Sequence, residues 1–302
     1  MSTDQDRALD KAYWEKDFND NRREIDSYLD RLLPSADAVP QVLHEAMRYS
    51  VMAGGKRLRP VLAVYTYTMT GKNIEGVIRP ACALEYIHTY SLIHDDLPCM
   101  DDDDLRRGQP TLHKKFGEAI AVLAGDALHA YAFELLAKSN NSGLVGEVAH
   151  AIGTGGMLGG QVCDILAENK DVRLEDVEHI HRNKTGALIA VSLRVGALLA
   201  EYPDKDLDII TSFGEKIGLA FQIIDDVLDC IGDEELLGKT VGKDDFIGKA
   251  TYPRVVGLNE SRRIARELIS SAVMDLERLS YPSEPLRYLA ELILSRDRKS
   301  VV

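Results

Sequence analysis

The sequence predicts an all-α protein, and three observations carry that reading. Apolar residues recur at spacings of three and four along most of the chain. Short runs of turn-forming residues separate these periodic segments. Alternating, β-branched runs bounded by hairpin turns are scarce. With no fixed-period repeat and no linker-like tract, the 302 residues are expected to form one domain, 1–302, rather than two.

The start, MSTDQDRALDKAYWEKDF, is polar and acidic and has no signal-peptide pattern; residues 1–25 are expected to be loosely ordered. Helices are expected in VLHEAMRYSVMA at 42–53, IRPACALEYIHTYSLI at 78–93 and AIAVLAGDALHAYAFELLA at 119–137. Two more are expected in LDIITSFGEKIGLAFQIIDDVL at 207–228 and RIARELISSAVMDLERL at 263–279. Between the periodic segments lie breakers such as GGKRLRP at 54–60, SNNSG at 139–143 and EYPDKD at 201–206. Residues 211–231 are apolar nearly all round, which suits a central helix of a large bundle. No uninterrupted apolar run reaches 18 residues, so no membrane span is expected.

A net charge of -13 argues against a nucleic-acid partner, which needs a basic face, but leaves small anionic substrates open. Four cysteines without CxxC spacing offer neither a zinc site nor a disulfide framework, and a reducing cytoplasm is the simplest setting.

The stretch HDDLPCMDDDDLRRG places six aspartates in the ten positions 95–104, directly behind an apolar helix. Such charge needs a metal ion, a basic partner or water. Pro98 interrupts the helical ladder, so the chain is expected to bulge and return Asp101 to the side of Asp95. A second cluster lies in AFQIIDDVLDCIGD, where the i, i+4 spacing puts Asp225 and Asp229 on one helix face. Both clusters read as ends of apolar helices, where the helix dipole makes a carboxylate unfavourable without a cation. All-oxygen clusters suit Mg²⁺, which takes one or two carboxylates plus phosphate oxygens, and the expected arrangement is a diphosphate clamped by metal between two acidic walls. The alternating ligand order of a calcium loop is missing.

Cations stand at the turns: Lys56, Arg57 and Arg59 in GGKRLRP, Arg106 and Arg107 behind the first cluster, then Lys184, Lys239 and Lys249. Arginine forks and lysine point charges both bind phosphate, and two anionic sites are suggested. GDEELLGKT at 232–240 has the wrong spacing for a phosphate loop, and GTGGMLGGQ at 153–161 reads as close helix packing. His179 and His181, two apart on a helix, are expected on the solvated surface.

Taken in order, GGKRLRP, DDLPCMDDDDLRRG, GGQVCD, the KT of RNKTGAL, FQIIDDVLD and LGKTVGKDDFIGKATYP resemble the trans-isoprenyl diphosphate synthases, also called polyprenyl synthetases. The likeness covers the chain after about residue 30, and DDxxxxD in place of DDxxD is similar to the bacterial and plastid branch. What it implies is a helical bundle around a deep central cavity, a homodimer, and head-to-tail transfer of an allylic diphosphate onto isopentenyl diphosphate. It implies about three Mg²⁺ held by Asp95, Asp101, Asp225 and Asp229, with Asp96 and Asp226 in support. Lys56, Arg59, His88 and Arg107 match positions that hold isopentenyl diphosphate. Arg106, Lys184, Thr185, Gln222, Lys239 and Lys249 match the allylic side, where Thr185 and Gln222 stabilise developing positive charge.

Product length is expected to depend on Tyr90 and its neighbour Ser91. Tyr90 is five residues before Asp95, roughly 7 to 8 Å along the helix at ~1.5 Å per residue. An aromatic there is similar to farnesyl diphosphate producers and implies a C15 product, whereas a smaller residue looks like geranylgeranyl (C20) producers. A terpene cyclase and a non-catalytic regulatory subunit are the remaining alternatives; DDVLD together with GGKRLRP speaks against the first, and two intact aspartate clusters speak against the second.

Overall fold

The computed structural model describes residues 4–139, 141–237 and 248–295. They fall into two compact units, one up to residue 145 and one from 146 onward. The all-α expectation holds: among the described residues the strands amount to a single two-residue pair.

The first unit contains α1 (Asp4–Leu32), α2 (Gln41–Val51), α3 (Leu58–Thr68), α4 (Ile78–Asp95), α5 (Leu112–Phe116) and α6 (Glu118–Ala137). Residues 1–25, expected to be loosely ordered, are helical from Asp4 onward. Their polarity conceals a narrow apolar line, Phe18, Ile25 and Leu29, which is buried. The Tyr86 hydroxyl donates to the Leu29 carbonyl at 2.9 Å and that of Tyr65 to Asp17 at 2.8 Å, tying α1 to α4 and α3. Buried along most of its length, α4 packs against α6, α3, α1 and α2, and each fully buried Leu or Ile contributes about 1.5–3 kcal/mol. α6 has the length and apolar composition that a membrane span would need, yet it carries Asp126 and Glu134 and packs against α2 and α4 as a core helix does. A short hairpin joins α4 to α5: β1 (Leu105–Arg106) pairs antiparallel with β2 (Gln109–Pro110) around Arg107 and Gly108. Both turn residues have positive φ, 53° and 74°, as a tight hairpin turn of matching twist requires.

The division falls within α7 (Ser142–Ile152). The second unit holds α8 (Met157–Ala167), α9 (Leu174–His181), a π-helical turn (Arg182–Gly186), α10 (Ala187–Ala200), α11 (Asp204–Leu237), α12 (Tyr252–Val256), α13 (Leu258–Leu276) and α14 (Glu284–Leu294). Its axis is α11, which buries Phe213, Ile217, Leu219 and Ile223 against α10, α13 and α14. Residues 232–237, inside the stretch that superficially resembles a phosphate loop, simply continue α11. The π turn is pressed onto α8 and α11 where side chains are missing. A Cβ on Gly160 would lie 2.3 Å from the Lys184 backbone nitrogen, and one on Gly218 would lie 2.7 Å from the Gly186 Cα. The packing role expected of the GTGGMLGGQ stretch fits this contact.

Candidate functional site

In the first unit, α4 delivers Asp95 and Asp96 to its C-terminal end, and the chain then turns back as the proline suggested. The Asp101 N–H donates to the Asp95 carbonyl at 2.8 Å, and Asp102, at φ 51°, donates to the Leu97 carbonyl at 3.1 Å. The backbones of Asp95 and Asp101 thus meet directly, with Asp95 partly buried and Asp101 exposed. Asp96 points inward, 3% exposed, and accepts from both Nε (2.9 Å) and a terminal nitrogen of Arg106. Burial pushes the Asp96 carboxyl up and Arg106 opposes the shift. Arg106 also bonds Asp103 at 2.9 Å.

The turn GGKRLRP enters α3 through two glycines with φ of 90° and 129° and through Arg57 in the left-handed region, φ 53°. Arg57 is not a phosphate ligand in waiting. It is 2% exposed, and it donates to Asp26 of α1, Glu85 of α4 and the Val51 carbonyl of α2, each at 2.7 Å. On either side of it stand Lys56 and Arg59, both partly exposed. The Arg107 guanidinium lies on the glycine backbone: it donates to the Gly54 carbonyl, and a Cβ on Gly55 would lie 2.7 Å from its central carbon. Burial holds Arg107 below its usual range, and nearby Arg57 and Arg106 add to that effect. His88 of α4, only partly exposed, is held well below 6.5 by burial and then by Arg59 and Arg107. Lys56, Arg59 and Arg107 thus gather at this turn, and burial beside these cations keeps the His88 imidazole neutral.

In the second unit, Asp225 is partly buried and Asp229 exposed on one face of α11. The cluster was expected at a helix end, but α11 runs on to Leu237, roughly two turns beyond Asp229. Asp226 faces the interior, 5% exposed, with both oxygens engaged. Oδ2 lies 2.7 Å from His181 Nε2 and accepts the Tyr252 N–H at 3.0 Å, while Oδ1 accepts from Gln222 at 3.2 Å. Thr185, in the π turn, donates to Gln222 Oε1 at 2.7 Å. Lys184 bonds Asp164 of the GGQVCD stretch at 2.6 Å. Lys249 is exposed, and Lys239 lies outside the described residues.

His181 corrects the surface expectation: it is 4% exposed, whereas His179 is exposed beside Asn183. The two side chains do diverge, and divergence at the last turn of α9 sends one of them onto α11. A histidine three residues before the KT pair was the signal available in the sequence.

Tyr90 is 5% exposed, its ring edge-on to His129 of α6 at 4.8 Å and its hydroxyl buried without a hydrogen-bond partner. Burial, then Asp95, pushes the phenol up to about 12. The Ser91 hydroxyl is directed back to the His88 carbonyl at 2.9 Å.

Among the described residues no three His, Cys, Asp or Glu side chains converge into a ready-made metal cage. The donor sets are outward carboxylates in ones and twos, which fits Mg²⁺, an ion that completes its shell with water and phosphate oxygens.

A model of the polyprenyl synthetase family matches residues 40–281. The farnesyl diphosphate synthase of Escherichia coli is 47% identical over 266 residues, 84% of this chain and 89% of that protein. The chloroplastic geranylgeranyl pyrophosphate synthase of Capsicum annuum is 44% identical over 311 residues, 98% of this chain and 84% of that one. Among solved structures, an FPP/GFPP synthase from Zymomonas mobilis superposes with a TM-score of 0.82 at 36% identity, covering 94% of this chain and all of the other.

Proposed function

Because the chain belongs to the polyprenyl synthetase family, whose members transfer prenyl groups, we propose that it condenses dimethylallyl or geranyl diphosphate with isopentenyl diphosphate and makes farnesyl diphosphate. The observation that carries this reading is the cationic turn of the first unit. There Arg107 donates to the Gly54 carbonyl of the turn that carries Lys56 and Arg59, and burial foremost holds it below its usual range, so a bound diphosphate would meet three cations at one turn. In this reading Lys56, Arg59, Arg107 and neutral His88 hold isopentenyl diphosphate, and Arg106, Lys184, Lys239 and Lys249 hold the allylic diphosphate. Asp95, Asp101, Asp225 and Asp229 are the residues that hold Mg²⁺, which when bound neutralises charge growing on the leaving group.

The allylic C–O bond breaks with its electron pair leaving on diphosphate. The double bond of isopentenyl diphosphate then supplies the pair for the new C–C bond, and the released proton passes to diphosphate. Thr185 Oγ and Gln222 Oε1 present lone pairs to the developing cation. The relatives' names divide between C15 and C20 products, so product length is argued from Tyr90, whose ring is fixed by His129. By the same resemblance the working form is a single-domain homodimer in the cytoplasm. The test is incubation with Mg²⁺, labelled isopentenyl diphosphate and dimethylallyl diphosphate, with the dephosphorylated products resolved by length. A dominant C15 alcohol is expected; a dominant C20 alcohol overturns the farnesyl assignment, and no product from folded protein overturns prenyl transfer.

A further inference from the structure

We infer that His181 is a positioning residue for Thr185 and Gln222, acting through Asp226. The inference rests on the prenyl-transfer reading above for the meaning of that pair, but the geometry stands by itself. Four hydrogen bonds meet in series. His181 Nε2 and the Tyr252 N–H converge on Asp226 Oδ2 at 2.7 and 3.0 Å, Gln222 donates to Oδ1 at 3.2 Å, and Thr185 donates to Gln222 Oε1 at 2.7 Å.

Each link fixes the polarity of the next. An ionised carboxylate only accepts, so His181 carries its proton on Nε2. The carboxylate also takes the NH₂ end of Gln222, which turns the amide oxygen toward Thr185. Thr185 has one proton to donate and gives it to that oxygen, leaving its own lone pairs as the negative end of the hydroxyl dipole. Lone pairs stabilise a carbocation and N–H groups repel it, so a flipped Gln222 would oppose ionisation rather than assist it. Without His181, a carboxylate 5% exposed loses a charge-assisted partner and the rotation that aligns it with Gln222 is no longer fixed. His181 is itself held firmly, 4% exposed and with its ring 5.5 Å from that of Tyr252. The tyrosine thereby joins the start of α12 to the same anchor.

The experiment compares His181→Leu, His181→Gln, Thr185→Val and the Leu/Val double variant in steady-state turnover. His181→Leu is expected to lower kcat about 10–100-fold with both KM values within about twofold. A glutamine amide can donate at the same point, so His181→Gln is expected to recover most of kcat. In the Thr185→Val background, His181→Leu should cost less than about threefold, because residues acting as one unit are not additive. A full loss in that background, an unchanged kcat in His181→Leu, or a rise in KM instead overturns the inference. A second readout needs no turnover: with nitrogen-labelled glutamine, the Gln222 side-chain amide protons are expected to exchange slowly in the wild type and faster in His181→Leu. Equal exchange overturns the relay. A wild type without turnover counts against prenyl transfer alone, and the exchange comparison still decides the relay.

Discussion

Replacing Arg57 by methionine isolates the buried ion network at the entry to α3. Methionine has similar length and also carries a Cβ, so the left-handed backbone, about 1–2 kcal/mol of strain, is common to both and cancels. What changes is charge. Glu85, 1% exposed, loses its cation, whereas Asp26, its side chain 38% exposed, can return to water. Breaking a buried pair from one side costs about 3–5 kcal/mol, so Arg57→Met should destabilise by that amount. At about 2–4 °C per kcal/mol for chains of this order of length, the melting temperature should fall by about 6–20 °C. Urea unfolding followed by far-UV circular dichroism gives the free energy. Adding Glu85→Leu should restore most of it, because the orphaned charge rather than the lost pair is the main cost. A single variant within about 1 kcal/mol of wild type, or a double variant as unstable as the single, refutes this assignment of the energy. At limiting Arg57→Met stability, the KM for isopentenyl diphosphate should rise while that for the allylic substrate holds, since Lys56 and Arg59 flank the loosened residue.

Two other predictions concern α4. Tyr90→Ala should lengthen the dominant product from C15 to C20 or beyond in the chain-length assay, and an unchanged C15 profile removes Tyr90 as the determinant. His88, held well below 6.5 by burial and by surrounding arginines, binds its proton in the unfolded chain but not in the folded one. Its contribution to stability is therefore complete above the unfolded value near 6.5 and is lost as pH falls below it. Relative to His88→Gln, the wild type should lose stability progressively as pH falls below that point in urea titrations, by up to about 1.4 kcal/mol per pH unit, and a constant difference between pH 7.5 and 5.5 would sink the argument.

The long helices were legible because a buried face imposes its period on the sequence, and α2, α4, α6, α11 and α13 cover the segments where that period is strong. The hairpin at 105–110 left no period to read, since two-residue strands hold one alternation at most. α1 was hidden because only a thin line of it is apolar, and a thin line is diluted by the charges around it. Arg57 was grouped with phosphate-binding cations because GGKRLRP shows its charge but not its partners. The missing signal was Glu85, a lone acid inside the apolar run ACALEYIHT, which must find a cation if the run is buried. The π turn at Arg182–Gly186 has no sequence pattern of its own, yet it sets Thr185 against Gln222.

The two aspartate pairs show why the motif needs adjacent carboxylates. Successive residues on a helix diverge by about 100°, so a pair at a helix surface sends one side chain inward and one outward. In each unit the second member turns in: Asp96 onto Arg106, and Asp226 onto His181, Gln222 and the Tyr252 N–H. In each, the first member, Asp95 or Asp225, stays partly buried beside an exposed carboxylate, Asp101 or Asp229. Exposed carboxylates suit an exchangeable ion, because each can be rehydrated when the ion departs. Buried ones do not, and they hold the surrounding donors in place instead. Asparagine at 96 or 226 should therefore disturb orientation and folding more than metal affinity, whereas asparagine at 95 or 225 should do the reverse. Mg²⁺ titrations of activity, set beside melting temperatures for the four variants, separate the two classes, and a common Mg²⁺ requirement across all four would refute this division of labour.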